Sequence, residues 1–247
     1  MTRPPRAEGS HVGRVFALLD IVGAAAEPQS LSALARTAEL PVSTTHRILG
    51  ELVAWGGVER IAGGTYRLGE KVWRLGVRSS WERAMRAAAL PHARDLARRT
   101  GLAVAISALL GDQLICMDTV PGAMPGIYLA RAGDELPLFA TSAGKVLMST
   151  ADRTTLVAAL ETRLERRTPH TLMTPGLVLG QLVKARKAGF AVTRSESTEG
   201  QSSVSVPVGS GLEFPIALTV LTRSSMIDLD RYVPDLRRSA QGIARVL

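Results

Sequence analysis

Apolar positions in the first third of the chain recur at helical spacing, and further on they bunch into runs of strand length. Val12, Val15, Phe16, Leu19 and Val22 form a stripe spaced i, i+3, i+4, i+7, the pattern of an amphipathic helix. The stripe stops in GAAAEPQS, where Pro28 and its neighbours interrupt it. Ser30 is then a suitable N-cap for a short helix in LSALARTAEL that buries Leu31, Leu34 and Ala35 and ends at Pro41. A third helix is expected from about Ser43 to Trp55, stopped by Gly56-Gly57. Two strand-like runs follow, VERI and TYRL, joined by Ala62-Gly63-Gly64 as a hairpin. Helix, short helix, tight turn, helix and hairpin in this order spell a winged helix-turn-helix.

From Glu70 to about Thr100 the pattern is helical, with a break expected around Leu90-Pro91. The first part (KVWRLGVRSSWERAM) reads as a connector and the second (HARDLARRTG) as a core helix ended by Gly101. Strand-like runs then appear at LAVAISAL, QLICMDTV and GIYLARA, and later at FAVTRS, SVSVPV and FPIALTVLT. Helices are expected at 152–164, 176–188 and 228–246. The fold class is therefore α+β, with a mostly antiparallel sheet in the second part. The division expected is 1–69 for the winged helix-turn-helix (1–10 disordered), 70–86 for a linker helix, and 87–247 for a second domain.

Composition narrows this picture. A chain of 247 residues can bury two modest cores. With 46% apolar but only 4% aromatic residues, Ala, Leu and Val must do the packing. No apolar run approaches the roughly 20 residues of a membrane helix, and MTRPPRAEGSH lacks an apolar signal core, so a cytoplasmic protein is expected. The single cysteine, Cys116 in DQLICMDTV, excludes an intrachain disulfide and reads as a small core residue. The net charge of +8 suits a polyanionic partner. Residues 1–80 hold ten Lys/Arg against seven Asp/Glu, and the remainder twenty against fifteen, so charge alone does not locate a nucleic-acid surface.

Placement within the third helix does. On a helical wheel Thr45, Ile48, Leu49, Leu52 and Val53 gather on one side. Ser43 and Arg47 point away, with Gly50 and Ala54 on the same outer face and Thr44 and His46 on its flanks. About 12 residues make a rod of about 18 Å, able to lie in a major groove about 12 Å wide. The polar opening Ser43, Thr44, Thr45, His46 and Arg47 supplies candidate DNA contacts, with Arg47 suited to guanine. Arg60 and Arg67 flank the Gly63-Gly64 turn and suit a wing laid along the backbone or minor groove. The competing reading makes STTHR a cap and solvated first turn. Arg3 and Arg6 fit a basic arm or a solvated tail.

Certain segments in order resemble the IclR-type bacterial transcription regulators: LSALARTAELPVSTTHRILGELVAWGGVER, TYRLGEKVWRLG, LPLFATSAGKVLMS, RTPHTLMTPGLVLGQLVKARKAGFAV, SESTEGQSSVSVPV and FPIALTVLT. The resemblance spans roughly residues 11–245. It implies an N-terminal winged helix-turn-helix, a linker helix and a C-terminal GAF-like α/β effector-binding domain. It also implies a homodimer or homotetramer on palindromic operator DNA, responding to a small-molecule effector such as an organic or aromatic acid. By motif the effector loop falls on Pro137 to Lys145, including Leu138, Ser142 and Ala143. The sheet positions fall near Thr193 to Glu196, Ser203, Thr219 and Leu221. The chain departs from the keto-acid-binding members, with Thr193-Arg194 where they carry Asp, Ser203 where they carry Cys, and Thr219 and Leu221 for paired serines. Arg194 is then a candidate partner for a ligand carboxylate or else a surface charge at a strand end. Leu221 with Met124 suits a more apolar ligand body.

Catalytic signals are incomplete. Ser142-Ala-Gly-Lys145 matches S-x-x-K without its companion S-D-N and K-T-G elements. The same stretch is no P-loop, because Phe139 and Val146 replace required residues. His11, His46, His92 and His170 stand apart from any ligand partner at metal spacing. Glu196 and Glu199 read as solvated loop charges. No cofactor, metal or catalytic activity is expected. A sequence-specific, effector-controlled DNA-binding regulator is the expectation, with two rivals: a constitutive regulator with a vestigial sensor, and a small-molecule enzyme with a DNA-binding appendage.

Overall fold

The computed structural model describes residues 10–76, 80–209, 214–224 and 228–247, with the side chains of 80–83 left aside. Arg3 and Arg6 lie outside the described residues. The chain divides into two compact units, Met1–Arg83 and Ala84–Leu247. Among the described residues no helix is long and apolar enough to cross a membrane.

The first unit contains helices α1 (His11–Ala24), α2 (Leu31–Thr37) and α3 (Val42–Trp55), then strands β2 (Val58–Arg60) and β3 (Thr65–Leu68), with the two-residue strand β1 (Gln29–Ser30) ahead of α2. Helix α4 (Glu70–Gly76) follows. Ser30 caps α2 by accepting from the Ala33 amide. Gly56 ends α3 in the left-handed conformation at φ 84°, which an L side chain resists. The hairpin forms as expected, and β1 adds an antiparallel third strand to it through Gln29–Tyr66 and Ser30–Thr65. Leu18, Ile21, Val22, Leu34, Ile48, Leu49, Leu52, Val58 and Tyr66 make the core. The expected stripe of α1 is rotated, because Val12 and Phe16 are 58% and 60% exposed while Ala17, Leu18 and Ile21 are buried. HVGRVFALLDIVGA is apolar most of the way round, so more than one helical stripe fits it.

The boundary between the units falls inside α5 (Ser80–Thr100), which runs through Pro91 without the expected break. A mid-helix proline costs about 3 kcal/mol. Burial of Ala88, Ala89, Ala93, Leu96 and Ala97 along the same helix outweighs it. Then come β4 (Ala103–Leu110), β5 (Gln113–Val120), β6 (Glu135–Leu136), α6 (Ser142–Met148), α7 (Arg153–Arg163), α8 (Pro175–Ala188), β7 (Ala191–Arg194), β8 (Gln201–Pro207), β9 (Ile216–Arg223), a single 3₁₀ turn (Asp230–Tyr232) and α9 (Val233–Ala244). The strands form one antiparallel sheet in the order β6-β5-β4-β9-β8-β7. Two expectations are corrected. GIYLARA is irregular chain, and the sixth strand is Glu135–Leu136. Part of the expected loop Pro137–Lys145 is the start of α6, capped by Thr141, whose hydroxyl accepts from the Gly144 amide.

The two sheet faces differ in chemistry. Val104, Ile106, Val204, Val206, Leu218 and Val220 make an apolar face, and α9 packs on β8 and β9. The other face carries Thr193, Ser203, Ser205 and Thr219, brought together by the register Thr193–Ser203 and Ser205–Thr219. Helix α6 sits on this polar face. Gly144 lets the segment ahead of α6 fold back against the helix, since an added methyl group would run into the Leu138 carbonyl oxygen.

Helix α6 also buries a charge. The Lys145 ammonium, with its side chain 1% exposed, donates to Glu196 Oε2 at 2.5 Å and to Gln181 Oε1 on α8. Glu196 is 7% exposed at its side chain, correcting its expected place as a solvated loop charge. Burial pushes the Lys145 amine below its ordinary value and the Glu196 carboxyl above its own, and their mutual contact opposes both shifts. A group lifted above 4.5 favours the fold below that pH and loses this contribution as pH rises through its folded value. A group depressed below 10.5 favours it above that pH and loses this as pH falls. Between the two values both contributions are absent. Lys145→Met or Glu196→Leu alone should therefore cost about 3–5 kcal/mol by leaving an unpaired buried charge, while the double variant should match or exceed the wild type. A denaturant double-mutant cycle checks this, and the double variant's relative stability should peak between pH 4.5 and 10.5.

Candidate functional site

On the first unit, α3 turns Ser43, His46, Arg47, Gly50 and Ala54 to solvent, with Thr44 half-buried. No side chain caps the helix, whose N-cap is Pro41, so the polar run is not spent on a cap. Thr45 departs from the expected set: it is wholly buried, and its hydroxyl donates to the Pro41 carbonyl at 3.1 Å. Its inward turn follows from helical spacing with Ile48, Leu49 and Leu52. Arg47 donates to Glu51 Oε1 at 2.7 Å and lies 3.4 Å from His11 Nδ1, while His11 Nε2 lies 3.3 Å from Glu51 Oε2. Glu51 escaped the sequence reading, although Arg47 and Glu51 stand at i, i+4, and His11 was weighed there only as a metal ligand. An exposed pair of this kind is worth only about 0.3–0.5 kcal/mol, so it orients Arg47 without withholding it from a phosphate or base.

On the hairpin, Arg67 donates through Nε and Nη2 to Glu59 Oε2 at 2.9 and 2.8 Å, across the register pair Glu59–Arg67. The Arg60 guanidinium lies 6.0 Å from the Tyr66 ring centre. Both arginines are exposed. Arg47 on α3 and Arg60 and Arg67 on the hairpin are thus exposed cations, the chemistry that phosphate contacts use.

On the second unit, a cavity of about 80 Å³ lies against the polar sheet face. Its wall includes Ser142 and Ala143 of α6, Thr193, Ser203, Thr219 and Leu221 of the sheet, and Ser107 and Cys116 of β4 and β5. Three expected residues lie elsewhere. Leu138 is buried in the helix-side core. Met124 accepts a hydrogen bond from the Thr222 hydroxyl at its sulfur, 3.7 Å away. Arg194 is exposed, because strand alternation turns Thr193 to the α6 side and its neighbour away. The sequence reading had no signal for Tyr128, Thr198 or Gln201, which belong to irregular segments or a strand's first residue.

The hydroxyls form a continuous chain. Thr193 Oγ1 lies 2.8 Å from Ser203 Oγ, which lies 2.7 Å from Ser142 Oγ. That oxygen is 2.6 Å from Ser205 Oγ, itself 2.7 Å from Thr219 Oγ1. The loop after β7 closes one side. Thr168 and Thr171 donate to its backbone carbonyls at Ser195 and Glu196, and Lys145 holds the Glu196 carboxylate. Opposite it, the Gln201 amide accepts from the Tyr128 N–H at 2.9 Å and donates to its carbonyl at 3.1 Å. Burial first, then Asp134 and Asp118, pushes the Cys116 thiol up to about 12, which keeps it protonated near neutrality, in line with a core residue and not a nucleophile.

Residues 80–245 match the family model for the C-terminal domain of the bacterial transcriptional regulator IclR, and residues 12–62 match the IclR helix-turn-helix domain. The probable transcriptional regulator SauR of Cupriavidus necator is 32% identical over 240 residues, covering 94% of each chain. The transcriptional repressor AllR of Escherichia coli is 26% identical over 240 residues, covering 95% of this chain and 89% of its own. Among solved structures, an IclR homologue of Microbacterium hydrocarbonoxydans complexed with 4-hydroxybenzoate superposes with a TM-score of 0.86 at 28% identity, covering 96% of this chain and 99% of that one. With a helix-turn-helix unit, an antiparallel α/β unit and both family domains in order, the chain belongs to the IclR family of bacterial transcriptional regulators.

Proposed function

We propose that this regulator binds palindromic operator DNA as a homodimer or homotetramer, and that a small organic effector held in the second unit sets its affinity. Residues 1–69 would then serve DNA binding, 70–86 linkage, and 87–247 effector binding and assembly. The observation that carries the reading is the buried hydroxyl chain beside a cavity, on a unit similar to one solved with 4-hydroxybenzoate. A sheet face buried for packing alone would be apolar, as the opposite face is. A small-molecule enzyme is disfavoured, because Ser142 is bonded to two serines and Lys145 is paired with Glu196, which leaves neither as a nucleophile or base.

In this reading α3 enters the major groove with Ser43, Thr44, His46 and Arg47 leading, and the hairpin places Arg60 and Arg67 on the backbone. Two such helices must meet half-sites about 34 Å apart or a multiple of it, so a modest change of protomer arrangement changes affinity. A volume of about 80 Å³ is about half the 150 Å³ that holds benzene in an engineered cavity, so a ring-sized effector displaces part of the wall. The segment around Tyr128 suits this, since its bonds to Gln201 and the Arg223–Pro125 contact are exposed and exchange readily with water.

Two measurements test the reading. With a duplex selected from a randomised library, Arg47→Ala should lose about 1–3 kcal/mol of binding and relax base choice at one position of each half-site. A footprint identical to the wild type's would remove Arg47 from the interface. Against the same duplex, a panel of small aromatic and aliphatic compounds should contain members that change affinity by about 5- to 150-fold. Affinity indifferent to every compound would favour a constitutive regulator.

A further inference from the structure

A single layer of chain separates the cavity from solvent on one side. Tyr128, Leu129 and Ala130 line the cavity, yet Tyr128 is 61% exposed. Residues 124–130 are irregular, and among the described residues none of them enters a backbone–backbone hydrogen bond. A stretch without main-chain partners opens locally at low cost. Its two ends are fixed. The Ala123 N–H donates to the Gly101 carbonyl at 2.9 Å, and beyond the far end Cys116 is bonded to Gly133 and Asp134 at 2.8 and 2.9 Å. Held at both ends and not between, such a stretch moves as a flap.

Two side chains of the sheet hold the middle. The Gln201 amide accepts from the Tyr128 N–H at 2.9 Å and donates to the Tyr128 carbonyl at 3.1 Å, a two-bond clasp on one residue. Arg223 donates to the Pro125 carbonyl at 3.0 Å. Gln201 and Arg223 are register partners on β8 and β9, so their side chains leave the same face of the sheet. Alternation makes this the face of Ser203, Ser205, Thr219 and Leu221. The two strands that present hydroxyls to the cavity therefore also present, at one end, the side chains that close it.

The size of the cavity gives the clasp a consequence. At about 80 Å³ the closed space is too small for a ring-sized molecule, so a larger occupant displaces a wall. The strands are tied by their ladder and Ser142 by buried bonds to β8. The bonds from Gln201 and Arg223 to the 124–130 segment are exposed, and water replaces them readily.

We infer that residues 124–130 are a hinged flap over the cavity, and that Gln201 and Arg223, by latching it, determine which small molecules enter. Its part in effector entry rests on the reading that the effector occupies this cavity, but the flap is testable without a ligand.

Cys116 supplies the test. It is the chain's single cysteine, lines the cavity, is 1% exposed, and its thiol lies 3.9 Å from the Ala130 carbonyl of the flap. Its rate of labelling by the small neutral reagent methyl methanethiosulfonate, followed by mass spectrometry of the full-length protein, reports opening of the flap. In the wild type this rate should hardly change across sub-denaturing urea, because a local opening exposes little surface. Gln201→Ala should raise it about tenfold by removing two hydrogen bonds, and Arg223→Met about threefold by removing one. A melting curve accompanies each variant, and Arg223→Met carries the test if Gln201→Ala does not fold. Labelling that accelerates with urea as global unfolding does, in wild type and variants alike, overturns the flap. Urea-independent labelling unchanged in the folded variants overturns the latch, since the reagent then enters elsewhere. The effector reading fails separately: faster labelling in the variants, with operator affinity indifferent to every compound, upholds the flap and removes the effector.

Discussion

The second unit depends on the seat of Ser142. At the first residue of α6, its hydroxyl lies between Ser203 and Ser205 of β8, at 2.7 and 2.6 Å. An unpartnered buried hydroxyl costs about 1–3 kcal/mol, so a sheet face that buries four of them is tolerable only if something answers them. Ser142 answers Ser203 and Ser205 from above, and these two in turn pair with Thr193 and Thr219. Gly144, two residues on, has no side chain and so leaves room for the Leu138 carbonyl of the preceding segment. Without the Ser142 hydroxyl, the pairs Thr193–Ser203 and Ser205–Thr219 persist but are no longer joined into one chain.

The same helix sets the far wall of the cavity. Lys145 follows Ser142 by three residues, so one rigid turn ties the hydroxyl chain to Glu196 and the loop that carries Ser197 and Thr198. Buried ion pairs rarely add net stability over apolar replacements. Here the pair's consequence is positional: it holds a polar loop, already bonded by Thr168 and Thr171, at a set height beside the cavity.

Element types were legible wherever a single period dominated. The winged helix-turn-helix order, the hairpin and five of the six sheet strands follow from helical stripes, alternation and glycine turns. Failures have physical reasons. The all-round apolarity of α1 hid which stripe faces inward, and Pro91 was outweighed by the packed face of α5. GIYLARA has strand-like composition, but Gln201 and Arg223 hold its neighbourhood as irregular chain. At the cavity, the motif positions Ser142, Ala143, Ser203, Thr219 and Leu221 were legible. Arg194, left open between a ligand partner and a surface charge, is the exposed strand-end residue, a choice that only the pairing with β8 fixes. Glu196 was misread because its partner lies 51 residues away in sequence.

The two units solve different energetic problems. On α3 and the hairpin the cations sit in exposed pairs worth tenths of a kcal/mol, which exchange for phosphate at little cost. Around the cavity the polar groups are buried and satisfied, and no such exchange is cheap. Reversing the hydroxyl chain breaks no bond, however, because the same four contacts persist with donors and acceptors interchanged. A ligand that only reorders hydroxyls therefore leaves the energy of the fold nearly unchanged and cannot itself move an equilibrium. Coupling of about 1–3 kcal/mol has to come from whatever the ligand displaces. The exposed contacts around Tyr128, each worth about 1 kcal/mol, are of the right size to supply it. For an effector held as proposed, affinity would then fall to the hydroxyl chain and response to the Tyr128 segment, two parts of one wall.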